Sequence, residues 1–195
     1  MALNAETNFS LERVNKAPAS FDTKKLMSFQ DRYMQALPAE EKILRMLPYL
    51  QRAGIVDNPI DPEVQARLAR VVQAASDRIK VSGDILGYDD FFIADERLAY
   101  DEKAFDKRLR SQPEGIELLR KFRKTLAVAP SFDPDALEKL LHDFVQAEGI
   151  EVGQIIHALR VAVTGKSVGF GLFDTLSILG RESSLKRIDL ALTRL

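Results

Sequence analysis

Three kinds of residue in this sequence have types suited to chemistry. The first is the stretch Thr164, Gly165 and Lys166, with Gly169 and Gly171 behind it. Glycines beside a lysine can cradle a phosphate, because backbone N–H groups and an ammonium converge there. Here the spacing of a phosphate loop is absent and no strand precedes the turn, so two helix terminators around a turn are expected instead. The second kind is the paired carboxylates Glu40 with Glu41, Asp89 with Asp90, and Asp95 with Glu96. Acid–base or metal chemistry needs such groups to converge in a pocket, whereas these read as solvated charge at helix ends. The third kind is histidine: only His142 and His157 occur, fifteen residues apart. His142 lies at the edge of an apolar stripe near Leu141 and Phe144, and His157 follows Ile155 and Ile156. The chain has no cysteine, so a zinc site would need mostly carboxylate ligands. Disulfides and cysteine nucleophiles are excluded, which fits a reducing compartment.

Basic groups remain as a means of binding. Lys plus Arg number 28 against 29 Asp plus Glu, for a net charge of −1. That balance announces no nucleic-acid partner, but binding depends on where charges sit rather than on their sum. From residue 151 onward, Arg160, Lys166, Arg181, Lys186, Arg187 and Arg194 outnumber Glu151, Asp174, Glu182 and Asp189. The last segment is therefore mildly basic, which permits phosphate contacts.

The elements that must position these groups all read as helices. Residues 1–10 form a polar lead-in without the apolar run of a signal peptide, and Leu11, Val14 and Phe21 are the first candidate anchors. Asp22 caps a helix to about Gln35, with Leu26, Phe29 and Tyr33 near one face. Pro38 opens the next, with Ile43, Leu44, Leu47 and Leu50 inward, a kink or restart expected at Pro48, and a stop at Gly54. Asp61 with Pro62, and later Asp133 with Pro134, pair a cap with a first helical residue. Apolar stripes follow at Val64 to Ile79, Ile116 to Leu126, Leu137 to Val145 and Ile155 to Val163, and the chain closes on Leu185, Ile188, Leu192 and Leu195. Residues 91–93 and 98–100 are the only plausible extended pieces. The fold class is all-α, with nine or ten helical segments, no repeat period and no segment able to span a membrane. The expected divisions are 1–54, 55–111 and 112–195, because a charged helix yields to a polar turn near Ser111 and a turn-rich stretch follows Gly54.

A resemblance carries the reading further. The run Arg160-Val161-Ala162-Val163-Thr164-Gly165, then Gly171-Leu172-Phe173, then Leu179-Gly180-Arg181-Glu182, resembles the C-terminal end of bacterial-type glutamate–tRNA ligases, the class I glutamyl-tRNA synthetases. The front, residues 11–22 followed by Lys25-Leu26, is similar to the family segment that joins the catalytic half to the anticodon-binding half. Phe91, Phe92, Ala94, Asp95 and Tyr100 are similar to the aromatic region that follows the first anticodon-domain helices. The likeness covers residues 9–195. It implies a multi-helix anticodon-binding cage with a short piece of the stem-contact region before it. The parent enzyme activates glutamate with ATP and Mg²⁺ in an N-terminal catalytic domain. The two ATP-binding signatures of that domain are absent here, so no catalytic residue, metal or cofactor is expected in this chain.

The same resemblance implies the site. Arg78 matches the arginine that reads the third anticodon base, where arginine goes with strict choice of tRNA(Glu) and glutamine with relaxed choice that admits tRNA(Gln). Arg160 matches a second anticodon contact; its alternative is a surface charge or an internal salt bridge. Gly169, Phe170 and Leu172 occupy a loop that in the family packs against splayed bases. This chain departs there by offering Gly169 and Phe170, and Phe170 either stacks on a base or fills the core. His142 falls near a basic family position. Lys24, Lys25 and Arg32 would touch the inner side of the tRNA. The expected partners are tRNA(Glu), tRNA(Gln) if choice is relaxed, and the catalytic domain. The expected state is a cytoplasmic monomer. The competing expectation is a helical adaptor of the same descent that no longer reads tRNA.

Overall fold

A computed structural model describes residues 20–195. Leu11, Val14 and the first part of the front motif lie outside the described residues. Eight α-helices follow one another: α1 Thr23–Ala36, α2 Ala39–Arg52, α3 Pro62–Ala75, α4 Glu102–Phe105, α5 Pro113–Ala127, α6 Pro134–Glu148, α7 Gly153–Thr164 and α8 Leu172–Thr193. Between α3 and α4 the chain runs through 3-10 turns at Ser76–Arg78, Ser82–Phe91 and Asp95–Arg97, and α4 continues into a wider turn at Asp106–Arg110. No strand occurs among the described residues, so the all-α expectation holds. No described helix is long and apolar enough to cross a membrane.

Helix ends are set by capping side chains. Asp22 accepts the N–H of Lys25, Asp61 those of Glu63 and Val64, and Asp101 that of Ala104. Each satisfies donors that a first helical turn leaves without partners. Asp133 occupies the same position before α6 but makes no such bond; its carboxylate instead accepts the Ser131 hydroxyl at 2.5 Å.

Helix α8 is the hub, packing on α3, α5, α6 and α7, while α2 packs on α3 and on the Ser82–Phe91 turns. Gly180, with φ +77° and ψ 175°, breaks α8 into two stretches, 172–179 and 181–193. Those angles lie in a region that is essentially open to glycine alone. The core is lined by Leu68, Ile85, Phe105, Phe122, Leu159 and Ile188, all buried.

Four expectations are corrected. Pro48 leaves α2 unbroken from Ala39 to Arg52. It faces solvent, as does Leu44 one turn earlier, so water can serve the Leu44 carbonyl deprived of its N–H. Leu44 is 69% exposed, and Met46 takes the inward place; the stripe is 43-46-47-50, the i, i+3, i+4, i+7 pattern. The apolar face of α1 is not buried: Phe21, Leu26, Phe29 and Tyr33 are exposed and only Met34 is buried, because nothing among the described residues covers that face. Phe91 ends a 3-10 turn rather than an extended piece.

One buried charge ties the second half together. Arg187 is 1% exposed. It donates to the Asp95 carboxylate at 2.6 Å, the Asp90 carbonyl at 2.8 Å and the Val163 carbonyl at 3.0 Å. Ser183 donates to the other Asp95 oxygen at 3.0 Å. The lower part of α8, the 90–97 turns and the end of α7 are thus clamped by a single guanidinium.

Candidate nucleic-acid interface

Two helix ends deliver the two arginines of interest. Helix α3 stops at Ala75, and Ser76, with φ +49°, turns the chain into the short 3-10 turn that ends on Arg78. Helix α7 runs to Thr164, whose hydroxyl folds back to the Arg160 carbonyl at 2.9 Å. Gly165, at φ +70°, then reverses the chain. Its carbonyl accepts the Asp101 N–H at 2.8 Å, and a Cβ there would collide with the Ala99 carbonyl oxygen. The loop that follows passes between the two arginines. Arg78 donates to the Gly169 carbonyl at 3.2 Å and Arg160 to the Phe170 carbonyl at 2.6 Å.

The loop is fixed from below. The Phe170 ring is buried and lies parallel to Tyr88, centroids 4.5 Å apart, and to Phe91 at 5.4 Å. The Arg78 guanidinium sits 5.8 Å from the same ring centre, within reach of a cation–π attraction. Lys166 donates to Asp90 at 2.8 Å, Asp89 at 3.3 Å and the Gly87 carbonyl at 3.3 Å. Burial alone would depress its ammonium, but the hydrogen bonds and charges of Asp90 and Asp89 hold it above the usual lysine range. Burial also raises the Tyr88 phenol.

Basic side chains lie close enough at this site to act on one another. Arg160 is held below the usual arginine range by burial and by the like charge of Arg78. His157, on the same helix, is lowered by partial burial and by Arg108 and Arg160. Neither Arg78 nor Arg160 has a carboxylate partner among the described residues. The other basic groups of the last segment are spent internally. Arg187 is the buried clamp. Arg181 donates to the Ala127 carbonyl at 2.6 Å and to that of Ala129 at the end of α5. Lys186 pairs with Glu96 at 2.5 Å, and Arg194 pairs with Glu102. Two guanidiniums without carboxylate partners, both bonded to carbonyls of one loop, form an arrangement that can hydrogen-bond an unstacked base or a phosphate.

A family profile described as an anticodon binding domain matches residues 41–192. The chain belongs to this anticodon-binding domain family. Its relatives are glutamate–tRNA ligases. That of Moorella thermoacetica is 33% identical over 183 residues, which cover 94% of this chain and 37% of the relative. That of Salinispora tropica is 38% identical over 194 residues, covering 97% of this chain and 41% of the relative. The chain therefore spans well under half the length of these enzymes. A crystal structure of a glutamate tRNA ligase from Elizabethkingia meningosepticum in complex with its amino acid superposes with a TM-score of 0.81 at 24% identity, over 96% of this chain and 35% of that one. That likeness establishes the fold.

Within the anticodon-binding domain, the residues expected to act fall into three groups. Arg78, Arg160 and Gly169 converge, with Gly169 exposed between the arginines. Phe170 joins them through its carbonyl alone and Leu172 makes no bond to them: each side chain is 3% exposed. Of the two expectations for Phe170, the structure has the ring filling the core, stacked with Tyr88 and Phe91. Leu172 is drawn inward as the first residue of α8. None of the rest bonds to the 169–170 loop. His142 is exposed on α6, 4.0 Å from Glu138 one turn away. Lys24, Lys25 and Arg32 are exposed on α1. Tyr88 was not singled out in the sequence, and Lys166 and Asp90, expected as turn and solvated charge, instead pair at 2.8 Å with Asp90 buried. Only the aromatic content of 88–92 hinted at a platform under the loop.

Proposed function

We propose that this domain recognises tRNA(Glu), chiefly through the anticodon loop, as part of a longer enzyme that attaches glutamate to tRNA using ATP. The observation that carries this reading is the convergence of Arg78 and Arg160 on the 169–170 loop without carboxylate partners. A guanidinium held by one carbonyl can direct its other N–H groups at the edge of an unstacked base. Arginine at position 78 favours strict choice of tRNA(Glu) over tRNA(Gln). In this reading the domain positions: binding of the anticodon helps place the distant 3′ end of the tRNA in a separate catalytic domain. The domain works as a cytoplasmic monomer, and residues 55–111 and 112–195 form its two halves. The residues present do not fit ATP or Mg²⁺. Lys166 is committed to Asp89 and Asp90, and no group of three His, Asp or Glu able to hold a metal occurs among the described residues. An adaptor that has lost tRNA reading would be favoured by arginines neutralised in ion pairs, and Arg78 and Arg160 bond to carbonyls instead.

The test is a binding titration of tRNA(Glu), tRNA(Gln) and an anticodon-swapped tRNA(Glu). Arg78→Gln should shrink the preference for tRNA(Glu) on the order of tenfold, the worth of a charged hydrogen bond. An unchanged ratio in a variant with native circular dichroism would refute the role.

A further inference from the structure

Beside Arg78 the surface continues into a groove. Gln35 on α1 donates to the Ile79 carbonyl at 3.1 Å and the Asp77 carbonyl at 3.4 Å, so α1 is docked on the turn that carries Arg78. The chain after that turn is equally fixed. The N–H groups of Lys80 and Val81 donate to the Asp84 carboxylate at 2.8 and 3.0 Å. An open groove of about 470 Å³ results, lined by Thr23, Lys24, Met27, Ser28, Asp31 and Lys80. It presents two ammonium groups and two hydroxyls beside the first turn of the 14-residue helix α1, whose N-terminus the Asp22 carboxylate caps. Its one acidic group is Asp31, which holds the Lys80 Nζ at 3.6 Å and accepts Gln35 Nε2 at 3.2 Å.

We infer that this groove carries the RNA sugar–phosphate backbone flanking the bases that Arg78 meets, with Lys80 and Lys24 on phosphates and Asp31 restraining Lys80. The inference rests on the anticodon reading above and extends it by a backbone track. Lys80 lies two residues from Arg78 on a fixed stretch, so a strand whose base reaches Arg78 passes its neighbouring phosphates over Lys80. Lysine suits that task, since a mobile ammonium serves as a point charge without requiring a set geometry. Contacts of this kind give affinity and register but no sequence choice.

The experiment measures binding of this chain to an anticodon stem–loop of tRNA(Glu), and to the same stem–loop with a swapped anticodon, from 50 to 200 mM salt. Lys80→Ala and Lys24→Ala alter exposed side chains and leave the backbone bonds of residue 80 intact. Each should flatten the slope of log K against log salt by about 0.7–0.9. The deficit of each variant should then be about threefold greater at 50 than at 200 mM salt. Both RNAs should lose equally, so discrimination stays. Asp31→Asn should tighten binding of both RNAs at low salt. Unchanged slopes in both lysine variants, or weaker binding by Asp31→Asn, would overturn the inference. If Arg78→Gln still altered discrimination in that case, the anticodon reading would survive alone. No RNA binding by the parent chain would overturn both.

Discussion

Removing the Arg187 guanidinium tests whether the 165–171 loop owes its position to a buried clamp. Arg187→Met keeps the length and apolar stem but deletes bonds to Asp95, Asp90 and Val163. The Asp95 side chain is 12% exposed, so its carboxylate would lose its ionic partner in a place that water reaches poorly. Breaking a buried pair from one side costs about 3–5 kcal/mol. Ser183 still serves one Asp95 oxygen, which puts the expectation at the lower end, about 3 kcal/mol. At roughly 2–4 °C per kcal/mol for a domain of this size, the melting temperature should fall by about 6–12 °C. Circular dichroism at 222 nm during heating measures this. Leucine at position 95 in the same chain should restore part of the loss, because the orphaned charge is then gone. Well below the melting point, RNA affinity should also fall, since Val163 sits two residues before the turn at Gly165. A shift under about 2 °C would show that the clamp is not what holds α7 to α8.

Two further outcomes follow from the same geometry. Gly165 and Gly149 both sit at positive φ, +70° and +66°, but only at Gly165 would a Cβ strike backbone, the Ala99 carbonyl. Gly149→Ala should cost about 1 kcal/mol, the left-handed penalty alone, and Gly165→Ala should lose clearly more in urea unfolding; equal losses would refute the collision. Tyr100 donates to the Ala162 carbonyl at 3.2 Å, and burial pushes its phenol up to about 12, with Arg187 and Arg194 opposing. A folded pKa above the unfolded value of about 10 means that stability is intact below pH 10 and is lost as pH rises toward 12. Tyr100→Phe should remove about 1–2 kcal/mol of that alkaline fall after allowance for partial exposure. An identical pH profile in the variant would refute it.

What could be read in advance follows the range of each interaction. Caps at Asp22 and Asp61 act over three residues, so the local sequence reveals them. Apolar stripes act over one helix, and they held where a neighbour covers them. They failed on α1, where period alone cannot say whether a face has a partner. The clamp at Arg187 joins residues 90, 95 and 163 across up to 97 positions, and an arginine destined for burial looks like one destined for solvent. For the same reason the basic surplus of the last segment misled: most of it neutralises or caps internal groups. Arg78 and Arg160 were singled out by family likeness, because no local pattern links positions 78, 160 and 169.

On the proposed anticodon reading, their geometry also decides between two ways an arginine can serve RNA. A guanidinium waiting in solvent would lose rotamer freedom on binding, about 2 kcal/mol for a long side chain. Here that ordering is already done. Arg78 uses one N–H on Gly169, and Arg160 one on Phe170. Five N–H donors per guanidinium leave four on each for a base edge or phosphate. The carbonyls they hold belong to a loop pinned by the Tyr88–Phe170–Phe91 stack, so their own positions do not depend on RNA. Burial, and after it the repulsion of Arg78, lowers Arg160, and an anion or the acceptor edge of a base relieves the repulsion. A surface built this way favours a rigid-body encounter over one in which the loop folds around the RNA.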